Sequence, residues 1–233
     1  MVNIELAGIP VAIDNRYPDM ERFCAGYETE KSPEMVFRAT SEEIEEERLS
    51  QTYEFSAGYL ETVCVYRKLA LAMLQRDVFI MHASVIEVDG ACYAFLAHSG
   101  TGKTTQTRLW LEYFGSRARV VNGDKPLVRM KEDGSFWAYG TPWCGKEGLG
   151  CNASVPLKAL FLVERATEPE CSLASEEECV DRLFHQLLMP EEAGQMEKLL
   201  TLTDALVQTI PAYILRCNME VESVITAWEA VST

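Results

Sequence analysis

The sequence carries only three histidines in 233 residues, and its eight cysteines include no C-x-x-C pair. Structural zinc sites need four Cys or His ligands at short paired spacings, and none are offered here. Cys24, Cys64, Cys92, Cys144, Cys151, Cys171, Cys179 and Cys217 are scattered, several inside apolar segments where a thiol packs as a small hydrophobe. Positive charge is also scarce: 21 Lys and Arg face 36 Asp and Glu, for a net charge of −15. Such a field repels phosphate backbones, which disfavours general binding of nucleic acid or of anionic membranes. No apolar run is long enough to span a bilayer. The start, Met1-Val2-Asn3-Ile4-Glu5, lacks a charged segment followed by an apolar one, so a reduced cytoplasmic location is expected. Internal repeats and low-complexity segments are missing too. What remains is ordinary globular material, 48% apolar and 24% charged. Length allows one large domain or one domain with a small appendage.

One stretch organises the rest. Ala94-Phe95-Leu96-Ala97 reads as a buried strand, and His98-Ser99-Gly100-Thr101-Gly102-Lys103-Thr104-Thr105 follows it. Gln106 to Phe114 is then compatible with a helix. The pattern G-x-x-x-x-G-K-[ST] describes a loop whose N–H groups cradle phosphates, with Lys on the β/γ-phosphates and Thr on Mg²⁺. Ala97 stands where the first glycine belongs, while Gly102, Lys103 and Thr104 are in place. A nucleoside triphosphate site is the expectation.

Around that loop the texture is uneven. Residues 1 to 40 read as short strands and turns, Glu42 to Arg48 as a short exposed helix, and Tyr59 to Arg76 as a packing helix with Leu60, Val63, Tyr66, Ala70, Met73 and Leu74 on one face. Asp89-Gly90 between two apolar runs signals a hairpin, whose second arm feeds the phosphate loop. Arg119 to Val121 is a strand that leads into Asn122-Gly123-Asp124-Lys125-Pro126. A second hairpin spans Leu127 to Ala138, and Leu157 to Val163 is another strand. Helices are expected at Glu176 to Met189, Glu191 to Gln208 and Val221 to Val231, with one strand at Tyr213 to Cys217. The fold class expected is α/β, in an α+β-like arrangement: a mixed central sheet around a P-loop, a strand-rich segment at 1–58, and a domain at 59–233 that ends in helices.

Phosphoryl transfer depends on positioning and charge neutralisation. Lys103 and Thr104 supply a cation and a metal-binding hydroxyl. Asp124, at the end of a core strand, can bind Mg²⁺ or accept a proton, although Asn-Gly-Asp also favours a plain turn. Gly140 to Gly150 is a second glycine cluster, in which Lys146 and Glu147 can approach a ligand. His82, beside apolar residues, reads from composition as structural. Cys144 has no histidine partner in sequence, His98 reads as pointing outward as readily as toward a ligand, and His185 takes no role.

With these residues in view, the chain resembles the HPr kinase/phosphorylase-like group of P-loop kinases, which shares its nucleotide-binding fold with phosphoenolpyruvate carboxykinases. The likeness spans residues 78 to 165. Its parts are His82-Ala83, the hairpin, Ser99-Gly100-Thr101-Gly102-Lys103-Thr104, the acid at 124 and the downstream glycine-rich loop. More narrowly, Ser99 to Trp110 with Asn122 to Leu127 looks like small stand-alone bacterial members, similar to kinases found beside peptide-modification genes. The resemblance implies ATP, Mg²⁺ and transfer of the γ-phosphoryl group to a serine-type hydroxyl of a peptide, protein or small molecule. It implies Ser99, Gly100, Thr101, Gly102, Lys103, Thr104 and Thr105 around the nucleotide, Thr104 and Asp124 at the metal, and Asp124, His82 and Lys146 in catalysis. Two departures stand out. The family has two adjacent acids where this chain has Gly123-Asp124, and an arginine near where this chain has Lys146; lysine lacks the bidentate fork. A nucleotide-binding regulator with little transfer, or a carboxykinase-like enzyme, are the alternatives. Expected partners are a nucleoside triphosphate and a hydroxyl acceptor, with a homo-oligomer allowed.

Overall fold

Alternating apolar residues in a five-residue strand bury one side, and two such strands joined by two residues at positive φ make a tight hairpin. The first 13 residues do this: β1 (Val2–Leu6) pairs antiparallel with β2 (Ile9–Ile13) across Ala7 and Gly8, whose φ angles are 51° and 78°. The computed structural model describes residues 1–98 and 100–232. After α1 (Asp19–Phe23), β3 (Met35–Phe37) adds to β2 in parallel and completes a three-stranded sheet. Helix α2 (Ser41–Ser50) starts in a capping box, where Thr40 accepts from the Glu43 N–H and Glu43 accepts from the Thr40 N–H. It is less exposed than its charge suggests, since Ile44 and Glu47 are buried.

The expected packing helix is α3 (Ala57–Met73), capped by Ser56 and continued by one tight turn at Leu74–Arg76. It joins the two halves of the molecule. Leu60, Val65, Leu69 and Met73 share one core with Ile4, Val11 and Ile13 of the small sheet and with Val78, Leu127, Tyr139 and Trp143 beyond it. Buried Glu61 accepts hydrogen bonds from the backbone N–H groups of Arg16 and Tyr17, at 2.7 and 3.1 Å.

The second sheet has nine strands. In chain order the elements are β4 (Val78–Ile80), β5 (Ser84–Val88), β6 (Ala91–Leu96), α4 (Lys103–Phe114), β7 (Ala118–Asn122), β8 (Leu127–Met130), β9 (Phe136–Tyr139), β10 (Ser154–Arg165), β11 (Glu170–Leu173), α5 (Glu176–Phe184), α6 (Ala193–Thr209), β12 (Ala212–Cys217) and α7 (Glu222–Ser232). The main path runs β4-β8-β9-β10-β6-β5-β7, with β12 on β10 and β11 on β12. β10 is the hub. Its first residues pair antiparallel with β9, its middle runs parallel to β6, and its end runs parallel to β12. The sheet is therefore mixed and the fold α/β. Among the described residues, no helix is long and apolar enough to cross a membrane.

Both faces of this sheet are covered, which explains why β6 is apolar at every position from Cys92 to Leu96. Cys92, Ala94 and Leu96 face the side of α5 and α6, against Leu183, Leu199, Leu202 and Leu206. Tyr93 and Phe95 face α4 and α7, against Trp110, Phe114, Val224 and Ala227. Trp110 is fully buried, with its ring 5.2 Å from Tyr93, 5.4 Å from Phe95 and 5.8 Å from Phe161. Its indole N–H has no hydrogen-bond partner among the described residues. Trp110→Ala is expected to cost about 3–5 kcal/mol, because the void cannot close within an aromatic cluster. Trp110→Phe, which keeps a ring and removes the unpaired N–H, is expected to cost far less. Urea titrations of the two variants provide the comparison.

Three local readings change. The strand read as Leu157–Val163 extends to Ser154 and Arg165, and α1 and β11 were not anticipated. The helix expected to reach Met189 stops at Phe184. Beyond it the chain turns to the sheet: the His82 N–H donates to the Gln186 carbonyl at 2.7 Å, and Met81 bridges Leu187.

Candidate functional site

Topology brings three sequence-distant segments to one end of the sheet. β5 runs antiparallel to both β6 and β7, with Ser84 opposite Phe95 and Val85 opposite Asn122. The start of β5, the end of β6 and the end of β7 are therefore neighbours. The hairpin turn that sets this register is Asp89-Gly90, with φ of 51° and 84°, the left-handed pair such a turn requires.

The chain leaves β6 through residues 97–102 and enters α4 directly. Gly100 and Gly102 have φ of 81° and 137°, and only glycine adopts the second without strain. Gly102 caps the helix without a side chain, so among the described residues the first N–H groups of α4 keep no capping side chain. Such a terminus favours an anion through both its free donors and its dipole. Lys103 folds back over the loop, its Nζ donating to the Ala97 carbonyl at 2.5 Å. Burial pushes its ammonium below the ordinary lysine value, and the charge of Asp124 opposes that.

Asp124 reaches the same place from β7. Buried Asn122 builds its turn: Oδ1 accepts from the N–H groups of Asp124 and Lys125 at 2.9 and 2.8 Å, while Nδ2 donates to Thr141 Oγ1 at 2.9 Å. Asn-Gly-Asp is thus a built turn, and its acid still lines the cleft. Asp124 Oδ1 lies 3.1 Å from His82 Nε2, and the Ala83 N–H binds the Asp124 carbonyl at 3.0 Å. Burial alone raises the Asp124 carboxyl; the His82 hydrogen bond, together with the charges of Lys125, His82 and Lys103, outweighs burial and holds it below the ordinary carboxylate value.

The glycine cluster closes the opposite wall. Trp143 anchors it, buried, stacked on Tyr66 at 4.1 Å and donating from Nε1 to the Thr62 carbonyl at 3.0 Å. The result is a cleft of about 610 Å³ lined by His82, Gly100, Gly102, Lys103, Thr104, Thr105, Asp124, Lys146 and Glu147, among others. Thr101 borders the adjoining cavities instead. Ser99 lies outside the described residues. His98 turns away from this cleft, its ring 5.6 Å from His185.

Several participants escaped sequence reading. Arg108, on α4, is ion-paired with Glu147, so the helix and the glycine loop are tied across the cleft. Arg165, at the end of β10, donates from Nε to the Thr101 carbonyl at 3.2 Å and from its terminal nitrogen to the Gly100 carbonyl. A longer β10, parallel to β6, would have placed Arg165 there. Gly123 also acquires a reason. Its N–H donates to the Leu149 carbonyl at 2.9 Å. A Cβ added at Gly123 would lie 2.9 Å from the Cys144 carbonyl and 3.1 Å from that of Leu149. The glycine loop thus occupies the space of a second acid. Gly123→Ala is expected to cost about 1–3 kcal/mol by forcing backbone apart, measured by thermal melting. Gly123→Asp is expected to displace residues 144–149 and not to add a carboxylate to the existing site.

Among the described residues, no group of three or more His, Cys, Asp or Glu gathers to hold a metal by protein ligands alone. Thr104 and Asp124 both line the cleft with hard oxygen donors, the set that suits magnesium shared with a nucleotide's phosphates.

No curated protein matches the chain. A solved structure, the HPr(Ser) kinase/phosphatase from Coxiella burnetii, aligns over 53% of this chain and 86% of that one, at 10% identity and a TM-score of 0.32. An overlay at that score does not define a shared fold. The family model described as SynChlorMet cassette protein ScmC matches residues 52–226, a span that takes in α3, the whole nine-stranded sheet and every wall of the cleft, so the chain belongs to the ScmC family.

Proposed function

We propose that the cleft binds ATP with magnesium and transfers the γ-phosphoryl group to a hydroxyl of a peptide, protein or small molecule. The observation that carries this reading is the convergence of an uncapped helix N-terminus and Lys103 with the His82–Asp124 pair in one cleft. Phosphoryl transfer needs those parts and little covalent chemistry. The N–H groups at the start of α4 and the Lys103 ammonium neutralise phosphate charge, and Thr104 with Asp124 would hold the metal. Magnesium supplies charge neutralisation between the phosphate oxygens when bound there. Asp124, held below the ordinary carboxylate range, is charged at neutral pH. That makes it a strong metal ligand and a weak base, adequate for a loose transition state in which the acceptor proton leaves late. His82 orients the carboxylate. Lys146, on the exposed loop, adds a cation at the open side.

The test is calorimetry with ATP, GTP and pyrophosphate, each with and without Mg²⁺, followed by transfer from γ-labelled ATP to hydroxyl-bearing acceptors. Magnesium-dependent ATP binding with label transfer is the expected result; nucleotide affinity indifferent to Mg²⁺ would overturn it. A second reading, a nucleotide-binding regulator with little transfer, is favoured by the single carboxylate that Gly123 leaves in the site. It predicts tight binding of ATP and no turnover with any acceptor.

A further inference from the structure

The nucleotide cleft shares a wall with another cavity, of about 300 Å³, and His82 lines both. The second cavity lies against α3 and the segment that follows α5. Its walls have three properties that together describe an occupant.

The first is an apolar side formed by Val63, Ile80 and Leu187. The second is a cation that no carboxylate holds in an ion pair among the described residues. Arg67 lines the cavity but is neutralised by Glu47 at 2.9 Å, whereas Lys125 makes no ion pair among the described residues. The backbone of Lys125 is rigidly held: its carbonyl accepts from Tyr66 OH at 2.7 Å and from Thr141 Oγ1 at 2.9 Å. Its charge is also close enough to bear on the Asp124 carboxylate. The third is an unmet acceptor. Gln186, which also borders the adjoining cavity beside His98 and Arg182, lines this one and is 5% exposed, and its Oε1 has no hydrogen-bond partner among the described residues. A buried carbonyl left unpaired costs free energy that a ligand donor recovers.

Resting on the kinase reading above, we infer that this cavity seats the phosphoryl acceptor, and that the acceptor is a small, apolar hydroxy acid. Its carboxylate meets Lys125, its apolar body lies on Val63, Ile80 and Leu187, and a second hydroxyl or an N–H donates to Gln186 Oε1. The hydroxyl then points past His82 toward Asp124. In the transfer the hydroxyl oxygen bonds the γ-phosphorus, and the bond from that phosphorus to the bridging oxygen breaks with its electron pair going to ADP. The hydroxyl proton passes to the Asp124 carboxylate. The products are a phosphate ester and ADP. The size of the cavity, at the low end for ligand pockets, fits a small molecule. In a chain of net charge −15, an anionic substrate needs such a local cation.

Titration calorimetry with 3-phenyllactate, 2,3-dihydroxy-3-methylbutanoate and the methyl ester of each tests this, with Mg²⁺-ATP binding measured in parallel. At least one acid is expected to bind ten-fold or more tightly than its ester. Lys125→Met is expected to erase that difference, and Leu187→Trp, which fills the cavity, to abolish acid binding while ATP still binds. Lys103→Met is expected to lose ATP and keep the acid. Equal affinity for acid and ester, no binding of either acid, or label transfer to a carboxylate-free hydroxyl peptide in preference to the acids would overturn the inference. If acid and ester are discriminated but ATP does not bind, the kinase reading falls and the cavity stands. If ATP binds and the acids do not, the acceptor inference falls alone.

Discussion

Lys103→Met is expected to lower phosphoryl transfer by about 10²–10³-fold, the range found when one preorganised charge donor is taken from a developing anion. The side chain is curled over the loop and bonded to the Ala97 carbonyl, at the place where the proposed transfer would use it. Methionine retains the buried stem and removes the charge with its hydrogen bond to Ala97. Because burial already disfavours that charge in the free protein, thermal stability without nucleotide is expected to change little. The difference appears on adding ligand. A nucleotide at one hundred times its dissociation constant stabilises the native protein by about 2.7 kcal/mol, roughly 5–10 °C in a chain of this size. That shift is expected in the wild type with Mg²⁺-ATP and is expected to vanish in Lys103→Met. A melting shift of full size in the variant would remove Lys103 from the site.

Asp124→Asn is expected to reduce transfer by about 10²–10⁴-fold and to weaken the dependence on Mg²⁺, since on the proposed reading one residue would serve both the metal and the acceptor proton. Its pH behaviour follows from the depressed carboxyl. A group whose folded pKa lies below its unfolded value contributes stability that is complete above the unfolded value, near 3.9 for aspartate, and is lost as pH falls through the folded value. The wild type should therefore exceed Asp124→Asn in stability by a constant margin from neutrality down to about pH 5. The two curves should converge in stronger acid. His82→Ala removes the hydrogen bond that does most to offset burial, so the convergence is expected to begin at higher pH. Denaturant titrations between neutral and acid pH measure both effects. A wild-type stability margin that grows as pH falls would contradict the assignment of Asp124 as the depressed group.

How much of this was legible in the residue order depends on how local each cause is. Asp89-Gly90 specifies its hairpin because few residues tolerate two left-handed positions in succession. Gly100 and Gly102, followed at once by Lys103, specify an open turn into an uncapped helix, a statement about a dozen adjacent residues. The continuous apolar run in β6 foretells burial on both faces. The candidate residues His82, Asp124 and Lys146 could be named from the chain, yet their meeting could not. It depends on β5 running antiparallel to both neighbours, which places three segments at one sheet end.

The remainder was decided by packing between distant parts. Gly123 looked like a missing acid until the glycine loop was found seated on it. Trp143 is held in the glycine-rich stretch by Tyr66 and Thr62 of α3, a contact that no residue near it in the chain announces. Arg108 and Glu147 are 39 residues apart, and nothing in either neighbourhood announces the other. The same holds for Lys125 and Gln186, which meet only because the chain leaves α5 early to pair with Met81 and His82. A mixed α/β chain with a glycine loop, a lysine and a lone acid follows from residue order, because backbone conformation and strand burial are set by near neighbours. Tertiary structure alone decided which side chains share a cleft and why there is room for only one carboxylate, because those depend on strand register and on contacts across more than a hundred residues.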